Sequence, residues 1–159
     1  MNEETQLCEQ LATALTARGW MLATAESCTG GLIAAACTAL SGSSQWFERG
    51  FVSYSNDAKI ELLGVDAGAI ERHGAVSEVV ARAMAFGAVR HSGAQVGVAV
   101  TGVAGPTGGS DEKPVGTVWF GFSVEGQLSS ETCRFDGDRA GVRAAAVRYA
   151  LQRLVQLIA

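Results

Sequence analysis

The stretch Thr24-Ala25-Glu26-Ser27-Cys28-Thr29-Gly30-Gly31 restricts the fold more than any other part of the chain. A short apolar run, Trp20 to Ala25, leads into it, and an uninterrupted apolar segment, Leu32 to Leu40, follows. This reads as strand, sharp turn, helix, with Ser27, Cys28 and Thr29 at the turn. Such a turn sets two hydroxyls and a thiol beside main-chain N–H groups at the positive end of a helix dipole. Taken alone, the same residues also describe an ordinary capped strand-to-helix turn.

The rest of the chain alternates the two periodicities. Residues 3–18 place Leu7, Cys8, Leu11, Ala14 and Leu15 on one helical face, with Gly19 as a stop. Trp20 to Ala25 forms the first strand, and residues 29–40 form a helix apolar nearly all round, which implies burial between the sheet and other elements. Ser41 to Ser44 ends it. Gly50 to Ser55 is a second strand, and Asn56-Asp57 opens a short helix that carries Lys59 and runs through Leu62 and Leu63 into a loop. Ser77 caps a helix from Glu78 to Arg90, and Gln95 to Thr101 is a nearly continuous apolar strand suited to the middle of a sheet. The segment from Gly102 to Pro114 is a loop with four glycines and both prolines. Val115 to Ser123 and Leu128 to Phe135 are strands joined at Glu125-Gly126-Gln127, and Asp138 begins a closing helix with a Val147, Leu151, Leu154, Val155, Ile158 stripe. Helices between most strands, together with one hairpin, predict a single α/β domain over 1–159. Its architecture is a three-layer α/β/α sandwich around a mixed, mostly parallel sheet of about five strands. Ligands of such sheets bind beyond the strand ends, where Ser27, Tyr54 and Thr101 fall.

Composition narrows the function. With 48% hydrophobic and 18% charged residues the chain is globular, and its net charge of −4 argues against general binding to nucleic acid or to an anionic membrane. The acidic start, Met-Asn-Glu-Glu, is unlike a signal peptide, so a cytoplasmic location is expected. Cys8, Cys28, Cys37 and Cys133 show no CxxC spacing and His73 and His91 stand alone, so no metal site, disulfide framework or cofactor is expected.

A serine nucleophile at the turn needs a base. His73 precedes a glycine in a loop and His91 closes a helix, so lysine is the alternative, and the chain has only Lys59 and Lys113. Lys59 follows a strand end closely, and burial near a hydroxyl would lower its pKa toward that of a base. Tyr54 can hold Ser27 and Lys59 in line. Each also has a plainer reading: a solvated lysine and a strand aromatic. The glycine loop from Thr101 through Gly102 and Gly105 lets main-chain N–H groups approach an anion, although it matches neither a P-loop nor GxGxxG. Arg139 and Arg143, one helical turn apart, suit a phosphate or are simply exposed. Cys28 is a rival nucleophile. Glu26 fits an orienting or packing role, and Glu78 has a weak claim to the site.

Four segments together, Thr-Ala-Glu-Ser-Cys-Thr-Gly-Gly (24–31), Gly-Phe-Val-Ser-Tyr-Ser-Asn-Asp-Ala-Lys (50–59), His-Gly-Ala-Val-Ser-Glu (73–78) and Thr-Gly-Val-Ala-Gly-Pro (101–106), resemble the CinA C-terminal domain family. Lys-Pro-Val-Gly-Thr-Val (113–118) and Phe-Asp-Gly-Asp-Arg (135–139) extend the likeness over nearly the whole chain. The resemblance implies an amidohydrolase that converts nicotinamide mononucleotide to nicotinate mononucleotide and ammonia, with Ser27 as nucleophile, Lys59 as base and Tyr54 orienting the pair. It places the oxyanion on N–H groups of Thr29, Gly30 and Gly31. It places the phosphate on the loop of Thr101, Gly102 and Gly105 with one arginine, Arg143 preferred slightly to Arg139. It also fits a homodimer acting on a small phosphate-bearing nucleotide. Longer family members carry an additional N-terminal domain, for which this chain has no room. The family's links to competence and DNA damage leave an alternative open, a non-catalytic nucleotide- or protein-binding module. Another amide-bearing nucleotide is a third possibility.

Overall fold

Five strands form among the described residues: β1 (Leu22–Glu26), β2 (Phe47–Val52), β3 (Val96–Gly102), β4 (Thr117–Val124) and β5 (Gln127–Arg134). In the computed structural model, which describes residues 2–159, they make one sheet in the order β2-β1-β3-β4-β5. β1 runs parallel to β2 and β3, whereas β4 is antiparallel to both β3 and β5. β5 therefore points the same way as the first three strands, and the sheet is mixed but mostly parallel, as expected.

Six α-helices among the described residues flank the sheet: α1 (Glu3–Arg18), α2 (Leu32–Thr38), α3 (Asn56–Leu63), α4 (Ala67–His73), α5 (Glu78–Arg90) and α6 (Arg139–Ile158). α1, α2 and α6 close a core over one face, where Leu11, Leu22, Val98, Phe120, Phe122 and Leu151 are fully buried. α3, α4 and α5 cover the other face over Ala23, Ala25, Met84 and Ala99. Strand alternation divides the two: Leu22, Val98 and Phe120 face the first core, Ala23 and Ala99 the second. Asn2, Ser55, Ser77 and Asp138 cap α1, α3, α5 and α6 through side-chain acceptors, each contributing about 1 kcal/mol. No helix among the described residues is long and apolar enough to cross a membrane.

The second face is built from small residues because α5 lies directly on the sheet. A β-carbon at Gly121 would stand 2.2 Å from the Ala81 carbonyl oxygen, and one at Gly97 would stand 2.9 Å from that of Ala85. Along α5 itself, Gly87 admits the end of α3 equally closely.

Several boundaries depart from the sequence reading. β2 begins at Phe47 and ends at Val52, not at Gly50 and Ser55. The Ser53 N–H still bonds the Glu26 carbonyl, but Tyr54 then turns away and the Ser55 side chain caps α3. α2 begins at Leu32 instead of residue 29, because Gly30 and Gly31 at φ 57° and 104° hold a turn before it. Nor is α2 buried all round. Only Ile33 and Cys37 are buried, and Leu32 is 41% exposed, since alanines let an outer-layer helix turn a face to water. α4 occupies residues read as loop, so His73 ends a helix. Val115 and Gly116 belong to the loop before β4.

Edge strand β5 is pinned to α6 by one polar cluster. Arg153 grips Glu131 through three contacts of 2.6 to 2.9 Å, and the Tyr149 hydroxyl also donates to Glu131. The guanidinium holds the Glu131 carboxyl below its usual range, and burial with the Glu131 bond pushes the Tyr149 phenol up. The pair is partly exposed, so Arg153→Ala is expected to lower stability by about 1 kcal/mol, read as a shift in the urea midpoint.

Candidate active site

The site forms where β1, β2 and β3 end. After Glu26 the chain makes the turn through Ser27 to Gly31. The Ser27 N–H is still bonded to the Val100 carbonyl, so Ser27 is fixed to the sheet. The buried Glu26 carboxylate reaches forward, accepting from the Thr29 hydroxyl at 2.7 Å and from the N–H groups of Ile33 and Ala34 at 2.8 and 3.0 Å. The positive end of α2 is thereby filled by a carboxylate of the chain itself, in keeping with the orienting role read for Glu26.

From the neighbouring strand, the turn at Tyr54 and the start of α3 deliver Lys59. Its Nζ lies 2.9 Å from Ser27 Oγ and 2.9 Å from the Tyr54 carbonyl oxygen, while Ser27 Oγ stands 3.3 Å from the same carbonyl. Three polar atoms thus converge, and Tyr54 contributes its main chain to them. Its ring points outward, 59% exposed, with the hydroxyl accepting from Arg139 Nη2 at 3.4 Å. Lys59 is only 1% exposed and has no carboxylate partner among the described residues. Burial lowers its pKa below the ordinary 10.5. The 2.9 Å contact puts Nζ within hydrogen-bond reach of Ser27 Oγ, the geometry that a general base requires.

A cleft of about 230 Å³ opens over the pair. Thr101 and Gly102 from the end of β3, Asn56 from α3, and Ala75 with Val76 before α5 wall it, and Arg139 stands at its rim. The Thr101 hydroxyl donates to the Ala75 carbonyl at 3.0 Å, tying two walls together. Arg139 is held by the Gly105 carbonyl at 2.9 Å. Cys28 also reaches the cleft, but its thiol is packed in the core near Gly102, and burial pushes its pKa up to about 11. It is a protonated thiol at neutral pH, the opposite of an activated one.

The structure thus brings together Ser27, Lys59, Tyr54, Thr101, Gly102 and Arg139. Thr29, Gly30 and Gly31 continue the turn from Cys28, which does line the cleft, and the Gly30 N–H is bonded to the Ser27 carbonyl. Gly105 acts through the carbonyl that holds Arg139. Arg143, preferred for an anion on sequence grounds, faces the turn instead: its Nε donates to the Cys28 carbonyl at 3.0 Å and its Nη2 to that of Thr29 at 3.5 Å. Glu78 accepts from Ser130, across the second face of the sheet. Asn56, Ala75 and Val76 were not among the expected site residues. The signal for Ala75 and Val76 was the His-Gly-Ala-Val-Ser-Glu segment, to which no chemistry had been attached.

A serine and a desolvated lysine beneath a polar cleft define a site fitted to nucleophilic attack on a carbonyl group. The chain belongs to the CinA C-terminal domain family, whose model matches residues 4–158. It is 54% identical over 148 residues to the nicotinamide-nucleotide amidohydrolase PncC of Enterobacter agglomerans, covering 92% of this chain and 90% of that one. With the protein of the same name from Escherichia coli K12 it shares 52% identity over 158 residues, 98% of this chain and 94% of that one. The crystal structure of the competence/damage inducible protein CihA from Agrobacterium tumefaciens superposes with a TM-score of 0.95 at 46% identity, covering 99% of this chain and 96% of that one.

Proposed function

We propose that the chain hydrolyses the carboxamide of nicotinamide mononucleotide to nicotinate mononucleotide and ammonia, through an acyl-enzyme on Ser27. The observation that carries this reading is the 2.9 Å contact between Ser27 Oγ and a lysine that burial holds below its ordinary pKa. The names of the relatives at 54% and 52% identity support the substrate.

In the first half-reaction Ser27 Oγ attacks the carboxamide carbon and neutral Lys59 takes the hydroxyl proton. The Tyr54 carbonyl keeps the amine facing Ser27. The oxyanion is received by main-chain N–H groups following Ser27. Those of Cys28 and Thr29 have no acceptor among the described residues, whereas that of Gly30 is already bonded. Lys59 returns the proton to the departing nitrogen, which leaves as ammonia. Water then attacks the acyl carbon with Lys59 again as base, releasing the carboxylate and restoring Ser27. Arg139, exposed at the rim between Tyr54 and Gly105, takes the phosphate, and Asn56 and Thr101 border the ring.

The purified protein is expected to release ammonia from nicotinamide mononucleotide without added metal, measured by coupled assay and by chromatography of the nucleotide product. Cys28→Ala is expected to retain that activity within a few-fold. A folded native protein that releases no ammonia would remove this substrate, and loss of turnover in Cys28→Ala would return the thiol to the mechanism.

A further inference from the structure

We infer that Arg143 is a positioning residue that orients and polarises the oxyanion-binding N–H groups, a role that rests on Ser27 being the nucleophile. Arg143 lies one turn after Arg139 on α6, and its charge alone would pair it with a phosphate. Its geometry assigns it elsewhere. It crosses a sequence separation of 115 residues to place Nε on the Cys28 carbonyl at 3.0 Å, with Nη2 3.5 Å from the Thr29 carbonyl.

A trans peptide unit points its C=O and N–H in opposite directions. The unit whose oxygen is the Cys28 carbonyl carries the Thr29 N–H, so fixing that oxygen on Arg143 turns the Thr29 N–H to the other side of the turn. The next unit carries the Thr29 carbonyl and the Gly30 N–H, and the latter is bonded to the Ser27 carbonyl at 3.1 Å. The turn is therefore gripped on two sides. Glu26 holds the Thr29 hydroxyl and the first N–H groups of α2, and Arg143 holds the carbonyls. Gly30 leaves room for this grip, since a β-carbon there would stand 3.3 Å from Arg143 Nη2.

The charge adds to the orientation. A carbonyl that accepts from a guanidinium is polarised along the whole peptide unit, and the N–H of that unit becomes a stronger donor. Arg143 thus strengthens the Thr29 N–H toward an anion that exists only in the tetrahedral state. Such a residue acts on kcat, whereas a phosphate-binding arginine acts on KM.

The test uses Arg143→Ala, Arg143→Lys and Arg139→Ala in the full chain with two readouts: steady-state release of ammonia from nicotinamide mononucleotide, and the rate at which a fluorophosphonate labels Ser27. The second does not depend on the natural substrate, so a native protein that is labelled but inert toward the nucleotide would retire the substrate and still test Arg143. Arg143→Ala is expected to lower kcat by roughly 10- to 1000-fold with KM little changed, and to slow labelling in parallel. Guanidinium at concentrations that do not unfold the protein is expected to restore part of both rates. Arg143→Lys, a point charge without the planar fork, should recover less than half of the loss on a logarithmic scale. Arg139→Ala is expected to raise KM and to leave labelling intact. A raised KM with unchanged kcat in Arg143→Ala, unaltered labelling, absence of label on native Ser27, or a loss that tracks lowered melting temperature without guanidinium rescue would each overturn the assignment.

Discussion

Lys59→Met is expected to lose turnover by roughly 10²- to 10⁴-fold while folding at least as stably as the parent. The first half follows from the proposed role of Lys59 as base and from there being only one other lysine in the chain, Lys113, which is bonded to the His73 carbonyl and does not line the cleft. The second half follows from burial. Lys59 is 1% exposed and unpaired by any carboxylate among the described residues, so its charged form is penalised in the folded state. Methionine fills the same volume without a charge. The same penalty gives a pH signature. The unfolded chain holds the lysine proton up to about its ordinary 10.5, and the folded chain releases it at lower pH. Between those two values the unfolded state binds more protons, so the Lys59 contribution raises stability as pH climbs and lowers it as pH falls through the folded value. In Lys59→Met that rise should vanish from urea titrations run across the alkaline range. In the parent, kcat/KM should rise with pH through the lowered lysine pKa, because the neutral amine is the base. A methionine variant that keeps more than a tenth of the parental rate, or that melts several degrees lower, would contradict the assignment.

Gly87→Ala is the second substitution with a large expected effect, and its sign runs against helix propensity. Alanine in the middle of a helix ordinarily stabilises by about 1 kcal/mol relative to glycine. At Gly87 the new β-carbon would stand 2.0 Å from the Leu63 carbonyl oxygen and 2.9 Å from its carbon, both backbone atoms at the end of α3. α3 must therefore retreat by roughly 1 Å or more to reach ordinary contact distance. We expect a net loss of about 1–3 kcal/mol, measured by urea denaturation. Lys59 lies on the same helix one turn earlier, so the retreat also disturbs its 2.9 Å contact with Ser27. A misplacement of that size costs about 100-fold in rate. Gly93→Ala is the matched control, since nothing lies within 4 Å of its β-position. Equal stabilities in the two variants would show that α3 yields without strain.

What was readable in the residues, and what was not, divides along physical lines. Ser27 and Lys59 could be paired from the sequence because the chain has only two lysines and Ser27 falls at the turn after the first strand, and the structure sets them 2.9 Å apart. β1, β3 and β4 were legible as largely apolar runs, whereas the edge strands β2 and β5 mix polar and apolar residues, and β5 was found through its hairpin turn at Glu125-Gly126-Gln127. α4 was missed because Ala67-Gly68-Ala69 carries no amphipathic stripe, and only Ala69 and Ile70 are buried along it. Tyr54 was singled out for its hydroxyl, yet the atom that meets Ser27 and Lys59 is a carbonyl oxygen, which every residue possesses and no composition argument can select. The two arginines were indistinguishable by spacing. Their different partners depend on how α6 lies against the turn at residues 27–31, a contact between segments more than a hundred positions apart.

The reversed direction of β4 has a consequence for how this family can diversify. Had β3 been followed by a parallel strand, the connection would have crossed to the far end of the sheet. Instead Gly102 pairs with Val118, and the connecting segment leaves and re-enters at the same edge. The return also brings the end of β5, and with it Arg139, to that edge. The intervening residues from Pro106 to Glu112 are exposed, and the core clusters lie outside them. Their number and chemistry can drift at little cost to folding, because closing a surface loop depends only weakly on its length. Ser27 stays bonded to the sheet while the segment beside the cleft is free to be rewritten.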